Sequence, residues 1–201
     1  MKLGTNCALL VIDIQQEDFQ NMTPDNLADP AWDCIRSARR VLDVFRARRL
    51  PVIHVQEAHR ADHVDFGREL DGAEGPHCLE DSPGTDFAWL TYPLPGEYRV
   101  VKRRYSAFFG TDLEILLRGL HVDTLVLVGG LTDVCIHYTA ADAHQWDYHI
   151  RVVTDAVAGS DPEAHTASLR AIRYLQWDAL VTAADVEAAE GPGVDNRAGF
   201  R

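Results

Sequence analysis

The sequence lacks long apolar segments, paired cysteines and internal repeats. Its longest apolar runs are too short to span a bilayer, which excludes a membrane as a partner. The four cysteines form no CxxC pair and no regular spacing, and the first residues contain no cleavable apolar region. We therefore expect free thiols in a reducing, cytoplasmic setting.

Positive charge is also scarce. The chain has 19 basic residues against 31 acidic ones and a formal net charge of -12, a field that repels phosphate backbones and excludes nucleic acid as a partner. Among the basic residues only Lys2 and Lys102 are lysines, and the other 17 are arginines. An interior lysine in so arginine-rich a chain is expected to have a role that arginine cannot fill, which singles out Lys102.

Length and composition are those of one globular domain. The chain has 201 residues, of which 46% are hydrophobic, enough to bury a sizeable core. Apolar runs of strand length alternate with segments of helical periodicity. Strands are predicted at 7–13, 50–56, 99–101, 124–128, 150–154 and 179–182, and helices at 30–49, 112–120, 134–146 and 162–175. Because helices separate the strands, the sequence predicts a single-domain, three-layer α/β/α fold with a mainly parallel, Rossmann-like sheet.

Two segments depart from this alternation. Residues 57–98 are rich in Gly, Pro, Asp and His and show little periodicity, which predicts a substrate-covering insertion within a domain at 1–189. The tail at 190–201 is polar and glycine-rich, so we expect it to be flexible or to pack on another subunit.

Three chemically useful side chains follow predicted strands. Asp13, Lys102 and Cys135 arrive from separate segments at the carboxyl edge of the sheet, where open α/β folds place their sites. An acid, an amine and a thiol suit nucleophilic catalysis if the thiol becomes a thiolate. An N-cap at Asp133 or Thr132 would put Cys135 in the first helical turn, where the helix dipole and Lys102 should lower the thiol pKa.

Each of these residues also has a simpler interpretation. Cys135 taken alone is more typical of a small buried apolar residue, and Asp13 of a helix cap. Lys102 alone is typical of a surface charge, and its neighbours Arg103 and Arg104 of a solvated charge run, although they could also bind a carboxylate. Only the combination favours catalysis.

Three stretches carry more specific motifs. They are ALLVIDIQQEDF, VVKRRYSAFFGTDLEILLRGLHVDTLVLVGGLTDVCIHYTAADA and VVTDAVAGSDPEAHTASL, with an Asp…Lys…Cys order, K-x-x-x-S-A-F and G-x-T-D-x-C. From about Ala8 to Thr182 the chain resembles the isochorismatase-like cysteine hydrolases. That family includes nicotinamidases, N-carbamoylsarcosine and biuret amidohydrolases, ureidoacrylate hydrolases and isochorismatases proper.

The resemblance implies a role for each motif residue. Asp13 is implied to be the catalytic acid/base, Lys102 its cationic partner and Cys135 the nucleophile. A cis peptide is implied between Gly130 and Leu131, with the amides of Leu131 and Cys135 as oxyanion donors. The Gly129–Gly130 pair gives the backbone the freedom for such donors. Family members are commonly dimers or tetramers, so a homo-oligomer is expected.

The resemblance has two departures. Phe19, a substrate-ring candidate, lies one residue further from Asp13 than the family pattern places it. The metal site of the nicotinamidase branch is matched only by Glu57, His59 and His77, where a longer Glu replaces Asp. No cofactor is required for the implied thiol chemistry. Zinc or another divalent ion is one interpretation of these three residues, and a loop of solvated side chains or a contact to the polar end of the substrate is the other.

Further residues are candidates for the pocket wall. Tyr105, Phe108 and Trp89 could supply apolar surface, although core packing explains each as well. His137, just past the thiol, could also line the pocket.

Retention of Cys135 favours hydrolysis of an amide, ureide or related C–N bond through a thioester, with a small molecule as substrate. A nicotinamidase-like, metal-assisted amidase is the first alternative. A vinyl-ether hydrolase of the isochorismatase type or a non-catalytic binding domain is the second. The sequence does not choose the substrate, because the pocket is expected to lie mainly in residues 57–98.

Overall fold

The computed structural model describes residues 6–189. Six strands are present there: β1 (Cys7–Ile12), β2 (Val52–Glu57), β3 (Tyr98–Lys102), β4 (Thr124–Gly130), β5 (His149–Ala158) and β6 (Leu180–Val181). Five α-helices accompany them: α1 (Asp33–Ala47), α2 (Leu113–Gly119), α3 (His137–Gln145), α4 (Pro162–Leu175) and α5 (Ala183–Ala188).

The strands form one parallel sheet in the order β3-β2-β1-β4-β5-β6. Strand β1 lies at the centre of the sheet, β2 and β3 follow toward one edge, and β4, β5 and β6 extend to the other. All carboxyl ends therefore lie along one side of the sheet, on either side of the switch between β1 and β4. The predicted single-domain α/β/α fold is confirmed.

Both faces of the sheet are covered, which is why its central strands β1 and β4 are almost entirely apolar. In β1 all six residues are buried. Alternate residues of this strand pack into a core with α1 and α5, and the remaining ones into a core with α2, α3 and α4. A strand buried on both sides needs apolar residues at every position, as the run CALLVI has.

Several predicted boundaries differ from the structure. The strand predicted at 150–154 continues to Ala158, because the register between β4 and β5 shifts after Leu127 and lets Gly129 and Gly130 pair with Val157 and Ala158. Helix α5 was not predicted, although Thr182 and Asp185 form a capping box at its start. Lys2 and the tail at 190–201 lie outside the described residues. Within 6–189 no helix has the length and apolarity that a membrane span needs.

The segment between β2 and β3 folds over the carboxyl edge of the sheet. It begins one residue later than predicted, because Glu57 is the last residue of β2. The buried side chain of Gln15 fastens the segment by donating from Nε2 to the carbonyl oxygens of Glu57 and Thr85, at 2.9 Å each. The insertion thereby becomes one wall of a cavity above the strand ends.

Candidate active site

Asp13, Lys102 and Cys135 meet at the carboxyl edge of the sheet. Lys102 Nζ lies 2.9 Å from Asp13 Oδ2 and 3.3 Å from Cys135 Sγ. The lysine side chain is fully buried, and Cys135 is 6% exposed. The structure thus brings the three sequence candidates together around one ammonium group.

Local backbone geometry sets the position of Asp13. The residue follows β1 with φ of +51°, and its amide donates to the carbonyl oxygen of Val55 at 3.0 Å. Neither oxygen of its carboxylate has a well-aligned hydrogen-bond partner among residues 6–189. Those oxygens are therefore available to accept a proton.

A fourth residue, Glu57, completes the cluster. It stands beside Lys102 in the register of β2 and β3, accepts a short hydrogen bond from Lys102 Nζ, and has Oε2 3.7 Å from Cys135 Sγ. Sequence reasoning treated Glu57 only as a metal or substrate contact. The signal that selects it is the one that selects Asp13, namely an acid at the end of a buried strand.

The charges of this cluster depend on one another. Burial disfavours the Lys102 ammonium, but the anions around it hold its pKa well above the usual range. Burial also raises the pKa of Asp13, to about 6, against the opposing charge of Lys102. Burial alone would raise the pKa of Glu57. Hydrogen bonds from His59 and His77 and the charge of Lys102 outweigh burial and hold that pKa well below the usual range. The site therefore combines a permanent cation, a permanent anion and a carboxyl that titrates near neutrality.

The expected lowering of the thiol pKa is wrong for this state of the site. Burial, followed by the charge of Asp13, raises the pKa of Cys135 well above its ordinary value, and Lys102 only partly opposes them. The predicted N-cap is also wrong. Thr132–Ile136 forms a π-helical turn whose N-cap is Leu131, and Asp133 instead accepts from the backbone and hydroxyl of Ser160. The resting thiol is protonated, so attack requires that a base remove its proton.

The peptide bond between Gly130 and Leu131 is cis, as predicted. Leu131, Cys135 and Tyr105 line a cavity of about 360 Å³, a volume suited to a small molecule. Its wall is formed by residues of the insertion and of the strand ends: Asp13, Gln15, Glu17, Asp18, Glu57, Glu74, Gly75, Pro76, His77, Cys78, Tyr105, Gly130, Leu131, Val134 and Cys135.

Four other candidates lie elsewhere. Phe19 packs with Trp32 against the core on the α1 side, and Phe108 packs near Tyr148 on the opposite side. His137 pairs through Nδ1 with Ser168 on α4, at 3.1 Å. Trp89 donates to the carbonyl of Met22 at 3.3 Å. The placement of these residues corrects the expectation that they form the pocket wall.

The two arginines after Lys102 do not face the cavity. Arg103 donates to the carbonyl of Ala58 and pairs with Glu80 at 2.5 Å. Arg104 donates to the backbone carbonyl of Asp65. These contacts fasten the insertion to the end of β3. The two arginines are therefore neither a solvated charge run nor a binding site for a carboxylate in the cavity.

A second cluster lies beside the cavity and contains Glu57, His59, Glu69 and His77. His59 Nε2 lies 3.1 Å from Glu57 Oε1 and 3.3 Å from Glu69 Oε2, and His77 Nε2 also lies 3.1 Å from Glu57 Oε1. His59 is 0% exposed and Glu69 is 6% exposed. The interpretation as a solvated loop is therefore wrong. Glu69, which no motif indicates, belongs to the set.

The donor set fits a divalent metal. Both carboxylate oxygens of Glu69 are buried without a hydrogen-bond partner among residues 6–189, which is costly unless a cation binds there. The carbonyl of Gly75 can only accept, so His77 Nδ1 carries a proton and Nε2 faces the cluster. Asp65 Oδ1 lies 3.5 Å from His59 Nδ1 and can orient that ring in the same way. Two imidazole nitrogens and two carboxylates are ligands that zinc accepts.

Fold and site together define a class of protein. A parallel α/β/α domain with a carboxylate, an ammonium and a thiol beside a small cavity has the parts of a hydrolase with its site at the strand ends. The chain belongs to the isochorismatase family, because the family model described as Isochorismatase domain matches residues 7–186. This match confirms the family resemblance.

Curated relatives agree with this assignment. A probable inactive nicotinamidase of Arabidopsis thaliana is 34% identical over 171 residues, which cover 82% of this chain and 86% of that protein. The nicotinamidase of Escherichia coli is 30% identical over 216 residues, with 92% and 98% covered.

Solved structures share the fold. N-carbamoylsarcosine amidase from Thermoplasma acidophilum superposes with a TM-score of 0.72 at 31% identity, covering 89% of this chain and 96% of that one. A pyrazinamidase of Pyrococcus horikoshii in complex with zinc gives 0.73 at 26% identity, covering 88% and 99%. The chain is an isochorismatase-family hydrolase.

Proposed function

We propose that this protein hydrolyses the C–N bond of a small amide or ureide through a thioester on Cys135. The observation that carries the proposal is the position of Lys102 Nζ, 2.9 Å from Asp13 and 3.3 Å from Cys135, below a cavity of small-molecule size. The amidase relatives support the same bond type.

The first half-reaction begins with proton transfer. Asp13 takes the thiol proton as Cys135 Sγ attacks the carbonyl carbon, and Lys102 stabilises the sulfur while it carries negative charge. The amides of Leu131 and Cys135 are the proposed donors to the oxyanion. Asp13 then gives its proton to the leaving nitrogen, the C–N bond breaks, and ammonia or an amine departs.

Water completes the cycle. Asp13 takes a proton from a water molecule that attacks the thioester carbonyl. The C–S bond breaks, the acid departs, and the proton returns from Asp13 to the sulfur. A carboxyl with a pKa of about 6 suits this double role, because it gains and loses a proton at small cost near neutral pH.

Replacing the nucleophile tests the mechanism. Cys135→Ala is expected to abolish ammonia release across a panel of nicotinamide, biuret, N-carbamoyl compounds and hydrazides. The acyl adduct should appear by intact-mass spectrometry only in proteins that keep Cys135. Cys34→Ala, a half-buried thiol on α1, is the matched control. Turnover by Cys135→Ala would refute the covalent route and leave the other hydrolase types to be tested.

The second candidate is a metal-assisted amidase. It is favoured by the buried carboxylate of Glu69 beside His59 and His77, whose oxygens have no hydrogen-bond partner among residues 6–189. Glu57, His59, Glu69 and His77 would hold the ion, which when bound supplies a Lewis acid at the cavity wall. Whether or not an ion binds, Glu57 accepts a hydrogen bond from Lys102 through its second carboxylate oxygen. The histidine–carboxylate cluster and the thiol site therefore share Glu57.

A further inference from the structure

The cavity wall carries carboxylates that the proposed thioester chemistry does not use. Glu17, Asp18 and Glu74 all line it, in addition to Asp13 and Glu57. Glu17 is half-buried, and the other two are exposed. We call Glu17, Asp18 and Glu74 the acidic rim. Its residues come from two separate segments of the chain, the turn after β1 and the insertion.

These rim charges share one region of space. Although Asp18 is exposed as a residue, partial desolvation of its carboxyl group, and then the charges of Glu17 and Glu74, raise its pKa above the ordinary value. The opposing charge is that of His77, whose Nε2 lies 3.8 Å from Glu74 and 3.1 Å from Glu57. Even a protonated His77 would be shared between Glu57 and Glu74 and could not neutralise the three charges of the rim.

The lysine and arginine side chains at and just after the end of β3, Lys102, Arg103 and Arg104, do not line the cavity. Among the described residues that line the cavity there is no arginine and no lysine. Lys102 lies beneath the floor, paired with Asp13 and Glu57. Arg103 and Arg104 are held by the insertion, as described above. A divalent ion at Glu57, His59, Glu69 and His77 would be balanced by its own two carboxylate ligands, so a carboxylate on a bound substrate would still be desolvated without a counter-ion.

We propose that the acidic rim selects neutral and cationic amides or ureides and rejects those that bear a carboxylate. This specificity rests on the proposed hydrolysis at Cys135 and names its substrate class. A positively charged or hydrogen-bond-donating substituent would face the rim while the carbonyl faces the thiol. Narrow clefts lined by one sign of charge focus the field, so the rim would also speed entry of cations.

The reactivity of Cys135 tests the rim without knowledge of the substrate. Three methanethiosulfonates of similar size serve as probes: 2-aminoethyl (cationic), propyl (neutral) and 2-sulfonatoethyl (anionic). Each labelling rate at Cys135 is measured by peptide mass spectrometry and divided by the rate with 2-mercaptoethanol. We expect the cationic-to-anionic ratio to be about tenfold or more at low salt and to decline as salt screens the rim.

Charge-removing variants locate the effect. Glu17→Gln and Glu74→Gln are each expected to lower the ratio about three- to tenfold, the range of a partly screened charge interaction. Glu163→Gln removes the same charge from an exposed position of α4 outside the cavity wall and should leave the ratio unchanged. A ratio near one, or one that Glu163→Gln changes as much as the rim variants do, would overturn the proposal.

Matched substrates extend the test to turnover. Butanamide, 3-aminopropanamide and succinamate differ only in the charge of one terminal group, as do propylurea, 2-aminoethylurea and 3-ureidopropionate. Ammonia release should be fastest for the cationic or neutral member of each set. Faster release from the carboxylates would overturn the specificity but leave the hydrolysis standing. Absence of ammonia release from all six compounds would count against the proposed hydrolysis. The labelling ratio at Cys135 would still show whether the acidic rim selects ligands by charge.

Discussion

Glu57 and Lys102 stand side by side at the last register position shared by β2 and β3, and their side chains form an ion pair inside the protein. The same ammonium also contacts Asp13, so two carboxylates surround one cation. Burial, and then this excess of negative charge, keeps the pKa of the Cys135 thiol well above its ordinary value even with Lys102 3.3 Å away. The arrangement makes proton transfer to Asp13 part of the attack.

Arginine should not replace Lys102. Its compact ammonium reaches Asp13, Glu57 and Cys135 from a fully buried position, which a planar, forked guanidinium cannot occupy in the same way. Lys102→Arg is expected to lower kcat/KM about 100-fold or more, the scale of losing one preorganised electrostatic contact. Ammonia release measures the loss, and circular dichroism shows whether the variant is folded. Wild-type activity in a folded Lys102→Arg protein would contradict the assigned role.

Activity should depend on the ionisation of Asp13. Burial raises the pKa of this carboxyl to about 6, and only the ionised form can take the thiol proton. Because protonation removes the base, kcat/KM is expected to rise through about pH 6 and to fall about tenfold for each pH unit below it. The profile is measured with ammonia release under conditions where circular dichroism shows a folded protein. A flat profile down to pH 4.5 would contradict Asp13 as the base.

The core of the site could be predicted because it follows strand ends. Asp13 follows the apolar strand β1 and Lys102 ends the short strand β3, and a parallel sheet brings such ends to one edge. Glu57 obeys the same rule at the end of β2. The direction in which a side chain of a helix or loop faces could not be predicted, because it depends on packing between segments that are distant in sequence. For that reason Phe108 and His137 were assigned to the cavity and lie in the core and against α4.

The cluster of Glu57, His59, Glu69 and His77 shows the same limit more sharply. Glu69 lies in an irregular segment where neither periodicity nor a motif marks it. Its approach to His59 depends on tertiary contacts, including the stacking of His59 on Phe66 at 3.8 Å between ring centroids. No local sequence pattern encodes such a contact. Glu69, the fourth donor, could therefore be identified only from the structure.

Metal content should depend on Glu69. Protein purified without chelators is expected to carry about one divalent ion per chain, by elemental mass spectrometry. Glu69→Gln keeps the size of the side chain but removes its charge, and should weaken zinc binding about 10- to 100-fold. Chelation should lower the thermal midpoint of wild type, and added zinc should restore it. Glu163→Gln is the charge-matched control. Equal zinc affinity in wild type and Glu69→Gln would remove Glu69 from the site.

Gly129 should tolerate no side chain. It lies on β4 next to β1 with φ of +118°, and an added Cβ would overlap the carbonyl oxygen of Ile12, just before Asp13. Gly129→Ala must therefore separate the two central strands or move Asp13, and is expected to lower the free energy of unfolding by roughly 3 kcal/mol or more. Gly119→Ala is the control. That residue ends α2 with open space around its Cβ position, so the change should stay within about 1 kcal/mol and favour stability. Urea unfolding of both variants measures the difference, and equal midpoints would show that the β1–β4 contact is looser than the structure has it.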